Sequence, residues 1–477
     1  MPSATACAPT SRRGCRACGP CATDGCWRCR PPTSSAPARS TGSWPWTRCS
    51  MADAAAADGA QAAGSPRAFD LYVVSRCVSW AGNALTAVAL PVLVYSTTGD
   101  PALLGLVAMM EALPYLVLAL PVGALVDGWE ARRTMLVTTW LSAAATASVP
   151  LAALAGTPHP ALLVGVAAAV SSLFVFFDAA SFSAVPALVG RDRVGAATTR
   201  MTTAYTVIGI AGPLAGAPAV AGLGAPAVLA LDAASYAAAA VLMTRVTWTP
   251  PARAAATTRR RIGREILEGL QHIRRAPLVR DLTLVGAGSS LTGGAVTGTL
   301  VVMIARGLDE RADGPALGIL AAAAACGTLV ASRALDPIQR RLGVGAIAIG
   351  ALALQVALTA AWSAVASLVV AVLVLAAWQA ATSTVALSGI VVRQTVTPAH
   401  LQGRVNTTAR MIAWGGQPIG AGLGGVLAAS VGIRAAVLLT GLGAVASLAG
   451  AAASSLRRAP RLADLPVPDA RDAPVAR

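Results

Sequence analysis

The sequence contains no lysine, so all 37 of its basic residues are arginine. This absence excludes the nucleotide-binding P-loop, which needs a Gly-Lys-Ser/Thr sequence, and it excludes Schiff-base and pyridoxal-phosphate chemistry, which needs a lysine amine. Histidine is almost as rare, and His159, His272 and His400 are too scattered to indicate a histidine-based metal site. We therefore expect no cofactor, no metal ion and no enzymatic activity.

Charged residues of either sign are scarce. They make up 12% of the chain, about half of the ~25% found in soluble proteins, while 55% of the residues are hydrophobic and the mean hydropathy is +0.65. This composition predicts a polytopic membrane protein, and we attribute the net charge of +16 to the positive-inside rule, not to a nucleic-acid partner. Arginine without lysine is typical of a GC-rich genome, so we expect the protein to come from a bacterium with such a genome. A polytopic membrane protein of a bacterium is expected in the cytoplasmic membrane.

The first fifty residues contain seven of the nine cysteines and lack the apolar core of a signal peptide. The spacing C-x2-C-x2-C-x4-C-x2-C from Cys15 to Cys29 is similar to that of a metal or redox site, but it misses the ferredoxin pattern, and Cys18-Gly-Pro-Cys21 has no predicted strand beside it. We expect translation to start at Met51. A disordered tail and a metal site are the alternatives.

From Phe69 onward, apolar runs of about the 20 residues that cross a bilayer alternate with short loops. We predict an all-α protein with twelve transmembrane helices, at 71–95, 101–126, 134–156, 160–185, 203–222, 225–245, 282–305, 314–335, 343–362, 366–391, 411–430 and 433–455.

The arginines test this count. With the N-terminus in the cytoplasm, only Arg306, Arg311 and Arg434 of the arginines after Met51 fall outside the cell, and only Arg76 falls within a span. A wrong number of spans would mix the two sides, so we expect twelve spans with both termini cytoplasmic.

The longest loop divides the spans into two sets of six, and the two sets resemble each other: Arg200-Met201 is repeated as Arg410-Met411, 210 positions later. Six spans per copy predict a parallel repeat of two six-helix bundles. In the loop, the apolar spacing from Ile262 to Ile273 indicates a helix on the membrane surface, with a solvated basic linker as the alternative. The predicted segments are a tail at 1–68, a bundle at 69–246, a linker at 247–281, a bundle at 282–456 and a tail at 457–477.

One stretch resembles a known family. Gly123-Ala-Leu-Val-Asp127, followed by Arg132-Arg133, is similar to the G-x-L-A-D-R-x-G-R-R motif of the major facilitator superfamily, with Gly128 and Ala131 departing from it. The stretches 83–95, 264–280 and 403–425 resemble its macrolide-efflux and enterobactin-exporter-like branch.

The resemblance implies an alternating-access transporter whose two bundles rock around a central cavity. In the family, the first, fourth, seventh and tenth spans line that cavity. Polar side chains in a bilayer must face a cavity or another helix, so a plain hydrogen bond between helices is the alternative role for each hydroxyl. The polar residues of these four spans are Asn83, Asp178, Ser181, Ser183, Ser289, Ser290, Thr292, Thr297, Gln379, Thr382, Ser383 and Thr384.

Ionisable groups within spans are costly and therefore indicate function. Glu111 lies about 15 Å into the second span at 1.5 Å per residue, and Asp178 lies in the fourth. A carboxylate away from water can bind and release a proton near neutral pH, as a proton-coupled exporter requires, although either acid could be structural. Arg76 could pair with one of them or extend to the cytoplasmic face, and Asp232 is expected to be structural.

Asp127 with Arg132 and Arg133 is expected to form a cytoplasmic gate that breaks when the bundles rock, and plain membrane anchoring is the alternative for the arginines.

In the fifth span, the glycine-proline pattern resembles the antiporter motif of exporters and implies close helix packing and a kink. Its members are Gly209, Gly212, Pro213 and Gly216, with Pro218 nearby. Gly416, Gly420 and Gly424 in the eleventh span predict a small-residue packing stripe.

Together these features predict a monomeric secondary active exporter that moves a small lipophilic or amphipathic compound, such as a drug, an antibiotic or a siderophore-like molecule, in exchange for protons. An importer or lipid flippase of the same fold, or a membrane receptor that does not transport, is the alternative.

Overall fold

The computed structural model describes residues 66–126, 129–190, 193–247, 259–398 and 401–465. Throughout these ranges the ordered elements are helices. The cysteine-rich segment, the expected start at Met51 and most of the C-terminal tail lie outside the described residues.

Six long helices form the first half of the protein. Gly224, at a φ of +82°, makes the turn between the last two, a backbone conformation that glycine adopts without strain. The helices are α1 (Pro66–Thr98), α2 (Pro101–Val126), α3 (Ala131–Leu154), α4 (Pro160–Val189), α5 (Val194–Leu223) and α6 (Ala225–Thr244).

The second half follows the linker helix α7 (Arg259–Arg275). Its first helix continues through a short turn, Leu300–Val302, and a π-helical turn, Met303–Gly307. Its helices are α8 (Pro277–Gly298), α9 (Ala316–Arg341), α10 (Val344–Ala364), α11 (Leu368–Val396), α12 (Gln402–Trp414), α13 (Gly416–Ser430) and α14 (Ile433–Ala453).

Ten helices in the described ranges are long and apolar enough to cross a membrane, and α8 with its continuation, bent by 50°, makes an eleventh candidate. The predicted span 411–430 is broken at Gly415, which separates α12 from α13. A multi-pass all-helical fold is therefore confirmed, whereas the exact number of twelve spans stays a prediction.

Each half packs mainly within itself. In the first half α1 packs on α5 and α6, and α4 packs on α2 and α3. In the second half α8 packs on α13 and α14, and α11 packs on α9 and α10. The halves meet where α2 crosses α13 and where α5 crosses α9. The residue limits predicted for the bundles stay a prediction.

The crossings between the halves lie at one end of the bundle, which we call the Gly99 end. There Gly105 of α2 lies against the backbone of Gly425, and Gly318 of α9 lies against the Pro213 carbonyl of α5. Arg306 adds a polar contact, because its Nη2 donates to the Gly99 carbonyl at 2.9 Å. We call the opposite end, where α2 ends and α3 begins, the arginine-rich end.

The helix predicted in the linker is present as α7, and it packs on α12. Ile273 is 3% exposed and lies in an apolar cluster with Val405 and Ala409. Glu268 forms an ion pair with Arg404 of α12. Part of the amphipathic helix α7, including Ile273 and Glu268, therefore packs on α12. The position of α7 on the membrane surface stays a prediction.

The glycine stripe of α13 lies against α8. A Cβ atom at Gly416 or Gly420 would overlap the α8 backbone, and one at Gly424 would lie 3.0 Å from Ala295. Small residues let the two helices approach closely where apolar burial gives no driving force in a lipid environment.

We expect Gly420→Leu to lower the free energy of unfolding by about 1–3 kcal/mol, because the added atoms cannot fit beside the Leu291 carbonyl. Gly350→Leu on α10 is the matched control, since nothing lies within 4 Å of a Cβ atom there. Thermal unfolding of the two purified variants in detergent measures the difference. Equal stability would contradict the close crossing.

Candidate functional site

A cavity of about 1550 Å³ lies between the two halves. At the arginine-rich end its lining includes the exposed Gln402 and Gly403, whereas near the Gly99 end the lining residues Val301, Leu317 and Ala421 are buried. The cavity therefore opens toward the arginine-rich end and is closed at the other.

Glu111 and Asp178 both line this cavity, as the hypothesis of a coupling site requires. Glu111 on α2 is exposed, and the space that it faces is the cavity inside the bundle. The Ser171 hydroxyl of α4 donates to the Glu111 backbone carbonyl at 2.5 Å and so fixes α2 against α4 at this level. Asp178 on α4 is half-buried and faces Tyr115 of the first half and Arg410 of the second. Two carboxylates therefore lie in the wall of a water-accessible space.

Arg76 and Asn83 also line the cavity, from α1. Arg76 is 8% exposed, and its guanidinium carbon lies 4.1 Å from the Phe177 ring centroid and 4.9 Å from that of Trp80. Within the described ranges, no carboxylate forms an ion pair with Arg76. Ring faces stabilise its charge in place of an acid, and the side chain does not extend to the surface.

Gln379 lies outside the cavity lining. Its amide nitrogen donates to Ser383 Oγ at 3.3 Å, and Ser383 donates to Thr328 Oγ1 of α9 at 3.2 Å. Thr292 of α8 likewise donates to the Thr440 carbonyl of α14 at 2.9 Å. Ser383 and Thr292 therefore join helices, the alternative that the sequence left open, whereas the Gln379 hydrogen bond stays within α11 and Thr297 lines the cavity.

Asp232 joins α6 to α1. It is 1% exposed and accepts hydrogen bonds from Thr86 Oγ1 at 2.5 Å and from Ser235 Oγ at 3.1 Å. Gly82 leaves the space that this group occupies, since a Cβ atom there would overlap Asp232 and Ser235. These contacts agree with the structural role expected for Asp232.

The residues expected to form the gate are only partly described. Asp127 lies outside the described residues, Gly123 lines the cavity, and Arg133 is exposed. Arg132 donates from Nε to the Val246 carbonyl at 2.9 Å and from Nη2 to the Thr244 carbonyl at 2.5 Å. In this conformation Arg132 therefore caps the end of α6, and the gate stays a prediction.

The glycine-proline pattern of α5 lies between α1 and α9. A Cβ atom at Gly212 would overlap Ala84, and one at Gly216 would lie 3.3 Å from Val88. Gly209 lines the cavity, with open space above it. The close helix packing implied by the resemblance is present at Gly212 and Gly216, while a role in antiport stays a prediction.

Residues 72–416 match the sequence pattern of the Major Facilitator Superfamily. The chain belongs to this superfamily. It is therefore a multi-pass membrane transporter, and the resemblance drawn from the Gly123–Arg133 stretch is confirmed at this level.

Two proteins resemble the chain over most of its length. The multidrug efflux pump Tap of Mycolicibacterium fortuitum is 29% identical over 382 residues, which are 78% of this chain and 92% of Tap. The uncharacterized MFS-type transporter y4rN of Sinorhizobium fredii is 24% identical over 76% of this chain and 88% of its own length.

Solved transporter structures share the fold. A bacterial homolog of the human lysosomal transporter Spinster, inward-facing and unoccupied, superimposes with a TM-score of 0.64 at 14% identity, over 81% of this chain and 97% of its own. The nucleoside transporter NupG gives a TM-score of 0.65 at 14% identity, over 81% and 98%.

Further polar residues that the sequence had not singled out line the transporter's cavity, among them Tyr115 from α2, Arg393 from α11, and Asn406 and Arg410 from α12. The prediction assigned both arginines to cytoplasmic loops and edges. The four-residue spacing of Asn406 and Arg410 would have placed them on one helical face, had α12 been predicted to begin at Gln402.

We expect Arg132→Gln to lower the free energy of unfolding by about 1–2 kcal/mol, because it removes hydrogen bonds from a cation to the Thr244 carbonyl at the end of α6 and to the Val246 carbonyl just beyond it. The matched control is Arg133→Gln, which removes the same charge one residue along at an exposed position. Thermal unfolding in detergent compares the two. A loss of stability in Arg133→Gln alone would contradict the capping role.

Proposed function

We propose that this transporter is a proton-coupled exporter of small lipophilic or amphipathic compounds, acting as a monomer in the bacterial cytoplasmic membrane with both termini in the cytoplasm. The observation that carries the proposal is the position of Glu111 and Asp178 in the wall of one large cavity between the two halves.

The two carboxylates support proton coupling. A carboxylate within an apolar bundle is expensive to keep charged unless it has a partner. The Glu111 carboxylate accepts no hydrogen bond from another described residue, so a proton is the simplest group to neutralise it when water leaves the cavity. Protonation and release of the compound at one face, followed by the reverse at the other, constitute antiport.

The rest of the cavity wall supports the substrate class. Aromatic and aliphatic side chains make up most of it, and apolar walls with a few polar groups are typical of sites for amphipathic molecules. Trp80, Phe174, Phe182, Tyr205 and Trp414 are among its aromatic members. The name of the relative Tap, a multidrug efflux pump, favours export over import.

The contacts between the halves support alternating access. The halves approach closely at Gly105–Gly425 and Gly318–Pro213, while the cavity opens at the arginine-rich end, which the positive-inside rule assigns to the cytoplasm. An exporter loads its substrate from that side, or from the membrane leaflet beside it, before the two halves rock.

We expect expression of the full chain in an efflux-deficient bacterium to raise resistance to some members of a broad panel of amphipathic compounds. Asp178→Asn and Glu111→Gln should each remove the ability to exchange a proton. At least one of them should therefore reduce the resistance at least fourfold in minimum inhibitory concentration, at equal expression.

Glu310→Gln is the matched control, because it removes a carboxylate from the exposed loop before α9. Unchanged resistance in both cavity variants would overturn the coupling sites and leave export in place. Failure to protect against any compound would overturn the multidrug substrate class.

A further inference from the structure

Unpaired polar atoms are concentrated at one place in the cavity wall. Four buried side-chain atoms without a hydrogen-bond partner belong to residues that line the cavity where α11 ends and α12 begins. These four atoms are Arg393 Nε, Thr397 Oγ1, Asn406 Oδ1 and Arg410 Nε.

The four residues form two pairs. Arg393 and Thr397 are one helical turn apart at the end of α11, and Asn406 and Arg410 are one turn apart on α12. Residues spaced by four lie on the same helical face. Because all four line the same cavity, the two faces present their polar groups to a common space, which we call the arginine cradle.

The cradle carries positive charge without a matching acid of its own. Arg393 is 5% exposed, and no ion pair joins it to a carboxylate in the described part of the chain. Arg410 faces Asp178 of the first half across the cavity, and Glu268 forms an ion pair with Arg404. A buried guanidinium without a counter-ion is costly, and an anion that enters the cavity would remove that cost.

An apolar wall adjoins the cradle. The Arg410 guanidinium carbon lies 4.5 Å from the Trp414 ring centroid and 5.0 Å from that of Tyr115, and Leu116 and Met411 continue the lining from there. Both rings lie within cation–π distance of the guanidinium, and its Nε has no hydrogen-bond partner. A guanidinium binds the two oxygens of a carboxylate or a phosphate at once.

We propose that the arginine cradle binds the anionic head of the transported compound, a carboxylate or a phosphate-type group attached to an apolar body that lies against Trp414 and Tyr115. This inference rests on the proposed function, because it narrows the substrate class of the same cavity to amphipathic anions and zwitterions. A free amphipathic anion and an anionic lipid present the same chemistry to the cradle.

Binding can be measured without transport. The full chain is purified in nanodiscs of phosphatidylcholine and titrated with octyl phosphate, and the fluorescence of Trp414 and the other tryptophans reports occupancy. Octyltrimethylammonium, with the same chain and the opposite charge, is the paired probe. Octyl phosphate should bind at least tenfold more tightly than octyltrimethylammonium, and Arg393→Gln should weaken octyl phosphate at least tenfold.

Arg340→Gln is the control, because this exposed arginine of the same half pairs with Asp336 and lies outside the cavity lining. Arg410→Lys keeps the charge but loses the paired donors, so its affinity should lie between those of the native protein and Arg393→Gln.

Replacing half of the phosphatidylcholine by phosphatidylglycerol distinguishes a free amphipathic anion from an anionic lipid. If phosphatidylglycerol weakens the binding of octyl phosphate, the ligand of the cradle is a lipid head group. If the binding is unchanged, the ligand is a soluble anion, and both outcomes support anion binding by the cradle.

Equal affinity for the two probes, or octyl phosphate binding that Arg393→Gln leaves unchanged, would overturn the inference. In that event resistance and its dependence on Asp178 and Glu111 could still stand, because the proposed function does not require an anionic substrate. If anion binding depends on Arg393 while no compound is exported, the cradle stands and the multidrug proposal fails.

Discussion

Charge inside an apolar helical bundle is the constraint on which the rest of this structure depends. The bilayer offers no water to an ionised side chain, so each such group within the spans needs a partner, a ring face or a water-filled space. Asp232 has two hydroxyl donors and Arg76 has two rings. Glu111, Asp178, Arg393 and Arg410 face the cavity. In the proposed mechanism these charges are available to a ligand and a proton.

Close packing of small residues complements this arrangement. At the Gly99 end, Gly105 and Gly425 bring α2 and α13 into backbone contact, and Gly318 does the same for α9 against α5. In lipid there is no hydrophobic driving force between apolar helix faces. The helices are therefore held together by van der Waals packing and by hydrogen bonds such as that of Arg306 to Gly99.

Much of the fold could be predicted from the sequence, because long apolar runs and the one-sided distribution of arginine are strong signals. The carboxylates at 111 and 178 could be predicted to face the cavity because each is isolated in an apolar run. Gln379 could not be placed, since a polar side chain that forms a hydrogen bond within its own helix has the same sequence pattern as one that faces a cavity. Arg410 was assigned to a loop because helix α12 begins nine residues before the predicted span, and no apolar run marks that start.

Proton flux in proteoliposomes tests the central claim most directly. The full chain is reconstituted with an acidic interior and an internal pH indicator, and the compound to which expression gives the greatest resistance is added outside. Antiport predicts that the compound accumulates while the interior pH rises, and that Asp178→Asn or Glu111→Gln abolishes both changes. Accumulation that continues after nigericin has collapsed the pH gradient, with no change in interior pH, would contradict proton-coupled export through this cavity.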